Sequence, residues 1–239
     1  MQARDVDYRC GEVNLRGYLA LDESTAGSRP GVLVFHEGLG LGDFAMERAR
    51  RLAGLGYAAL AADMFGDRRQ ATNLQEVANL VGGLRAEPEK LRARGRAALE
   101  TLAGLPQVDP GRLAAIGFCF GGSVVLELAR EGADLKAVVS FHGVLTTKMP
   151  AQPGRIKASV LVCTGVDDPL APPEQVADFE NEMRTGGVKD WQVITYGNAL
   201  HGFTNPAADG SMMRTALYNE QADRRSWASM KSLFDEVLT

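Results

Sequence analysis

The sequence predicts an α/β fold in which a mostly parallel central sheet is flanked by helices on both faces. Three observations carry this expectation. Short apolar runs and helix-patterned segments alternate along most of the 239 residues, the pattern of a parallel sheet with crossover helices. The run Gly31 to His36 is continuously apolar up to its histidine, as a strand buried on both faces should be. No repeat or low-complexity linker interrupts the chain, so one domain over residues 1–239 is expected.

The opening reads as a hairpin, because Val6 to Arg9 and Arg16 to Leu21 are extended-type runs separated by a turn at Gly11 to Asn14. A polar loop from Asp22 to Pro30 precedes the buried strand. Helix is then predicted for Phe44 to Leu55 and strand for Tyr57 to Ala62. Asn73 to Leu102 reads as mostly helical, interrupted at Gly82-Gly83 and Pro88. Strand Leu113 to Gly117, helix Gly121 to about Glu131, and strands Leu135 to Phe141 and Ser159 to Thr164 follow. Pro172 or Pro173 suits the first turn of a helix running to about Arg184. Trp191 to Tyr196 is the last predicted strand, and Met212 to Leu238 closes the chain mostly as helix.

Composition narrows the function classes. The chain is 45% hydrophobic and 23% charged with a net charge of -4, which gives no basic footprint for nucleic acid. No run approaches the ~18 apolar residues of a membrane span. Met1 to Arg9 carries Arg4, Asp5, Asp7 and Arg9 where an export signal would be apolar, so a cytoplasmic location is expected. Cys10, Cys119 and Cys163 are too scattered for a disulfide frame, and no pair has zinc-ligand spacing. No cofactor and no metal is expected. The partner is a small molecule, bound by a monomer or small homo-oligomer.

In such a sheet, ligands bind at the carboxyl ends of the strands. There the stretch Ile116-Gly117-Phe118-Cys119-Phe120-Gly121-Gly122 combines a strand end, a Gly-x-Cys-x-Gly frame and an immediate helix start. That frame lets the chain turn sharply, because strand and helix can approach only where side chains are missing. Cys119 would stand at the apex beside a helix N-terminus, a position that favours thiolate chemistry. A nucleophilic thiol needs a base, and the base needs a carboxylate to orient it. After Cys119 the chain supplies Asp168, in the loop Thr164 to Pro172, and then His201, in Ala199 to Thr204. This is the order nucleophile, acid, histidine known from α/β-hydrolases. Asp167 is the alternative acid; His36 and His142 also end strands and are weaker rivals for the base.

The chain resembles the dienelactone hydrolase family of the α/β-hydrolase superfamily through Gly117-Phe-Cys-Phe-Gly-Gly122, Gly165-Val-Asp-Asp-Pro169, His201-Gly-Phe203, Phe35-His-Glu-Gly38 and Ala222-Asp-Arg-Arg-Ser-Trp227. The resemblance implies an α/β-hydrolase fold and a carboxylic ester or lactone hydrolase. It implies Cys119 as nucleophile, His201 as base and Asp168 as its orienter. It further implies that Glu37 contacts the resting thiol and helps switch it to thiolate. The backbone N–H groups of Phe120 and Gly38 would form the oxyanion hole, in keeping with a donor at a helix start.

The expected chemistry is acylation of Cys119 followed by hydrolysis of a thioester, favouring enol and aryl leaving groups, with a side activity on activated phosphotriesters. Phe65, Phe118, Phe120, Phe141 and Phe203 lie on or beside strand-end loops and could wall a substrate pocket. Family members bind the dienelactone carboxylate through arginines, one of them shortly after the catalytic histidine. His201-Gly-Phe-Thr-Asn-Pro206 has none there. Arg68, with Arg69, is the candidate substitute, and a neutral ester fits at least as well as dienelactone. Two other classes compete: a thiol-dependent acyltransferase or redox enzyme, disfavoured in its redox form by the lack of a resolving cysteine, and a non-catalytic ligand-binding relative.

Overall fold

The computed structural model describes residues 1–22, 24 and 27–239. Three residues of the predicted 22–30 loop lie outside them. Eight strands form one sheet: β1 (Gln2–Cys10), β2 (Val13–Leu21), β3 (Arg29–Phe35), β4 (Ala58–Ala62), β5 (Val108–Phe118), β6 (Ala137–Phe141), β7 (Ser159–Gly165) and β8 (Trp191–Tyr196). Their spatial order is β1-β2-β4-β3-β5-β6-β7-β8. The β1–β2 hairpin and its contact with β4 are antiparallel, and every pair from β4 to β8 is parallel. The helices are α1 (Asp43–Ala53), α2 (Leu74–Ala86), α3 (Pro88–Ala103), α4 (Phe120–Glu131), α5 (Pro173–Thr185) and α6 (Glu220–Val237). This is the α/β-hydrolase architecture.

Period-two alternation sorts the core into two layers, since successive strand side chains point to opposite faces. Leu33, Phe35, Ala115, Val138, Val160 and Val162 pack under α3, α4 and α5. Val32, Val34, Ile116, Val139, Leu161 and Cys163 pack under α1 and α6. No helix of the described residues is long and apolar enough to cross a membrane. The parallel register aligns the strand ends, pairing Phe35 with Gly117, Phe118 with Phe141 and Phe141 with Cys163. Residues just beyond those ends therefore share one edge of the sheet.

Four element boundaries differ from the sequence reading. Gly82-Gly83 does not interrupt α2, which is exposed there and gives up no packing by lacking side chains; the break falls at Glu87, before Pro88. β5 reaches back to Val108 because Arg29 and Pro30 pair with Val108 and Asp109. β6 starts at Ala137, not Leu135. The last helix begins at Glu220, not Met212. Residues 212–219 instead give their backbone to the loop after β8: Leu217 N–H donates to His201 O at 3.0 Å and Asn219 N–H to Phe203 O at 3.0 Å. Asn219 then caps α6, its side-chain oxygen accepting from Ala222 N–H at 3.0 Å.

Candidate active site

At the end of β5 the chain turns through Cys119 with φ 53° and ψ −111°, and α4 begins at the next residue. A non-glycine residue there carries strain of about 1–3 kcal/mol, which the surroundings must hold. The Cys119 N–H is shared between Phe141 O at 3.0 Å and His142 Nδ1 at 3.1 Å. Gly121 N–H donates to His36 O and Gly122 N–H to Cys119 O, each at 3.0 Å. The glycines are there for contact: a Cβ on Gly117 would lie 2.0 Å from Gly121 O, and one on Gly121 would lie 2.2 Å from Phe35 O. Only hydrogen fits at either place.

His201 follows β8 on a loop that approaches β7 so closely that a Cβ on Gly165 would meet Ala199 O at 2.1 Å. Its Nδ1 pairs with Asp168 Oδ2 at 2.9 Å. Asp168 Oδ1 accepts Leu170 N–H at 2.8 Å, so the turn fixes the carboxylate. Asp168 is buried and Asp167 exposed, so of the two candidate acids it is Asp168 that meets the histidine. His201 Nε2 is buried and has no nitrogen or oxygen partner among the described residues. Burial pulls the imidazole pKa down. The influence of Cys119 and the hydrogen bond to Asp168 outweigh burial and lift it to about 10.

Glu37 is partly buried. Its Oε2 accepts from Asn205 Nδ2 at 2.7 Å, and no hydrogen bond joins it to Cys119 among the described residues. Burial raises its pKa to about 6, against the opposing pull of Asn205 and of the charges on His201 and Arg48. The N–H groups of Phe120 and Gly38 have no acceptor among the described residues.

Several expected pocket residues turn out to be core. Phe118, Phe141 and Phe203 are fully buried; the first two stack on each other at 4.9 Å and the third packs against His142. Phe120 and Phe65 stack at 5.6 Å and are themselves nearly covered. Arg68 is committed to the hairpin, donating to Asp5 Oδ1 at 2.6 Å and Gly17 O at 2.7 Å. It is an outer-strand clamp, not a cation held in reserve for substrate. Neither rival histidine is free to act as base. His36 Nδ1–H donates to Glu37 O at 2.6 Å while Nε2 accepts from Met64 N–H at 3.2 Å. His142 is occupied at both nitrogens, Nε2 lying 2.8 Å from Thr204 Oγ1.

Sequence reading missed Arg48, Asn205, Thr204 and Asp223. Arg48 is buried, donates to Thr204 O at 2.5 Å and Asp223 Oδ1 at 3.0 Å, and lies over Phe44 and Trp227. It fixes the far end of the His201 loop from α1 and α6. A signal existed, because Arg48 falls on the same helical stripe as buried Ala45, Ala49 and Leu52. No group of three or more His, Cys, Asp or Glu among the described residues is placed to hold a metal ion.

A model of the dienelactone hydrolase family matches residues 15–238. The chain belongs to that family. The solved structure named m3DLH superposes with a TM-score of 0.95 at 48% identity, covering 100% of this chain and 99% of that one. A dienelactone hydrolase-like promiscuous phosphotriesterase from metagenomic libraries superposes with a TM-score of 0.93 at 45% identity, with coverage of 100% and 99%. A protein provisionally named carboxymethylenebutenolidase from Salmonella typhimurium is 26% identical over 230 residues, 92% of this chain and 82% of its own. As a member of the dienelactone hydrolase family, the chain is an ester or lactone hydrolase.

Proposed function

We propose that this dienelactone hydrolase-like enzyme cleaves carboxylic esters or lactones through Cys119, His201 and Asp168. The observation that carries the reading is the divided environment of His201: Nδ1 rests on a buried carboxylate, while Nε2, also buried, has no hydrogen-bond partner among the described residues and is left for a reacting group. An imidazole with a pKa of about 10 rests as imidazolium, and Cys119 reacts as its thiolate. The thiolate adds to the carbonyl carbon, and the N–H groups of Phe120 and Gly38 take the developing oxyanion. The C–O bond breaks as His201 protonates the leaving oxygen, giving a thioester on Cys119. Neutral His201 then removes a proton from water, whose oxygen attacks the thioester and releases acid and thiolate. Glu37, held by Asn205, interacts electrostatically with His201 and favours the imidazolium.

Leaving groups matter in this scheme. A thiolate departs from the tetrahedral adduct more readily than an alkoxide does, so aryl and enol esters should outrun alkyl esters and peptides. Residues 1–239 act as one catalytic domain, with the strand ends as its floor. The likeness to the metagenomic phosphotriesterase favours a second substrate class, aryl phosphotriesters, attacked by the same thiolate.

The test is hydrolysis of 4-nitrophenyl acetate by wild type and Cys119→Ala. A fall in kcat/KM of about 10³-fold or more is expected; equal rates would remove the proposal. Phosphotriester turnover that persists in Cys119→Ala would remove the second reading alone.

A further inference from the structure

His36 follows β3 directly and is fully buried, yet the reaction above gives its side chain no part. Its ring joins two pieces of main chain. Met64 N–H, just beyond β4, donates to Nε2 at 3.2 Å, and Nδ1–H donates to Glu37 O at 2.6 Å. A backbone N–H can only donate and a carbonyl can only accept, so these partners fix the tautomer with its proton on Nδ1. Burial pulls the ring's pKa down, against the bond to Glu37 O and the charge of Asp63, and keeps the ring neutral. The His36 carbonyl also accepts Gly121 N–H at 3.0 Å, next to Phe120.

The bond to Glu37 O decides where the Gly38 N–H points. The two groups belong to one peptide unit, and in a planar trans peptide C=O and N–H point in opposite directions. With the carbonyl turned onto the His36 ring, and the ring turned onto Met64, the N–H faces away from β4. β3 lies between β4 and β5, so the N–H faces the side of β5, whose end carries Cys119. No acceptor meets it among the described residues. The hydrogen bonds therefore run in one sense, from Met64 N–H through Nε2 and Nδ1–H to the Glu37 carbonyl and out at Gly38 N–H. Bonds aligned in this way polarise one another, which makes the last N–H a stronger donor. The other hold on Glu37 O among the described residues is Gly40 N–H, at a longer 3.2 Å.

We propose that His36 is a positioning residue for the oxyanion hole, its ring aiming and polarising the Gly38 N–H that meets the developing negative oxygen. That role rests on Cys119 as nucleophile and on Gly38 as one of the two donors, and it goes beyond both by assigning the donor's aim and strength to a side chain that does not touch substrate. The bond from Gly121 N–H to His36 O is main chain and survives substitution at position 36, so variants there isolate the ring.

Two substitutions split the ring. In His36→Asn the amide Nδ2 takes the place of Nδ1 and still donates to Glu37 O, leaving Met64 N–H without its acceptor. In His36→Gln the amide oxygen takes the place of Nε2 and still accepts from Met64 N–H, leaving Glu37 O without the ring's donor. The readout is the ratio of two rates at Cys119: pre-steady-state acylation by 4-nitrophenyl acetate, which forms an oxyanion, and alkylation by iodoacetamide, in which the thiolate displaces iodide and no oxyanion forms. His36→Gln should lower acylation about tenfold to a hundredfold, approaching the loss of one oxyanion donor, with alkylation unchanged. His36→Asn should keep the ratio within about threefold of wild type, because the aimed peptide is retained. A merely structural role would slow both reactions alike. A wild-type ratio in His36→Gln, or the same fall of the ratio in both variants, overturns the proposal. Wild type alone supplies a test that needs no variant to fold: nitrogen-15 NMR at pH 7 should show His36 protonated on Nδ1 and not on Nε2, and the opposite tautomer or an imidazolium overturns it. These outcomes leave the nucleophile intact, since its own failure reads differently, as ester turnover that persists in Cys119→Ala.

Discussion

His142 Nδ1 accepts the backbone N–H of Cys119 at 3.1 Å, so a second histidine supports the backbone of the elbow. Burial holds the His142 pKa well below the ordinary value, reinforced by the charges of His201 and Arg48. The ring is therefore neutral, and with Nδ1 accepting, its one proton is on Nε2 and points at Thr204 Oγ1, 2.8 Å away. One uncharged ring thereby ties Cys119 to the loop that carries His201. His142→Ala should cost about 2–4 kcal/mol, from the lost packing and an orphaned hydroxyl. It should also slow iodoacetamide labelling of Cys119. Urea denaturation and labelling rates check both effects.

Glu37 should destabilise the native state at alkaline pH. Its folded pKa of about 6 lies above the ordinary 4.5, so folding disfavours the charged form, and the penalty is present above pH 6 and relieved as pH falls through 6 toward 4.5. Glu37→Gln keeps a side chain that can meet Asn205 and removes the charge. The variant should be more stable than wild type at pH 8, by at most about 2 kcal/mol, and the gain should vanish near pH 4. Urea melts across that range measure it.

For His201 the sign is opposite. A folded pKa of about 10 lies above the ordinary 6.5, so protonation stabilises the fold, fully below pH 6.5, and this contribution is lost as pH rises through 10. Cys119→Ala removes the largest of the influences that lift the value, leaving Asp168 alone to oppose burial. NMR of the imidazole nitrogens at pH 8 should show a protonated His201 in wild type and a neutral one in Cys119→Ala.

The elbow glycines tolerate no side chain. Gly121→Ala would drive a methyl group into the backbone of β3, 2.2 Å from Phe35 O, so strand and helix must part. A loss above about 4 kcal/mol or failure to fold is expected, read by circular dichroism and thermal melting. Gly82→Ala, where a Cβ meets nothing within 4 Å, is the internal control and should stabilise α2 by up to about 1 kcal/mol.

The sheet was legible because its signals are local. Buried parallel strands such as Val32 to Phe35 read as apolar runs whatever surrounds them, and the turn at Cys119 announces itself through Gly117 and Gly121. The pairing of Asp168 with His201 was legible from chain order, which survives without coordinates. What escaped depends on partners far apart in sequence. Residues 212–219 look helical alone, but His201 O and Phe203 O claim their N–H groups. Phe118, Phe141 and Phe203 sit beside loops in the sequence yet point into the core. Arg68 reads in the sequence as a loop cation; only the fold commits it to Asp5 and Gly17. Asn205 was read for the arginine it is not, and its bond to Glu37 spans 168 positions.

The account turns on a covalent bond between substrate carbon and one sulfur. Mass spectrometry of enzyme acid-quenched during turnover of 4-nitrophenyl acetate reads that bond directly. The acetyl mass should appear on the peptide containing Cys119 in wild type and on no peptide of Cys119→Ala. An acyl group on another residue, or undiminished turnover by Cys119→Ala with no adduct anywhere, would contradict it.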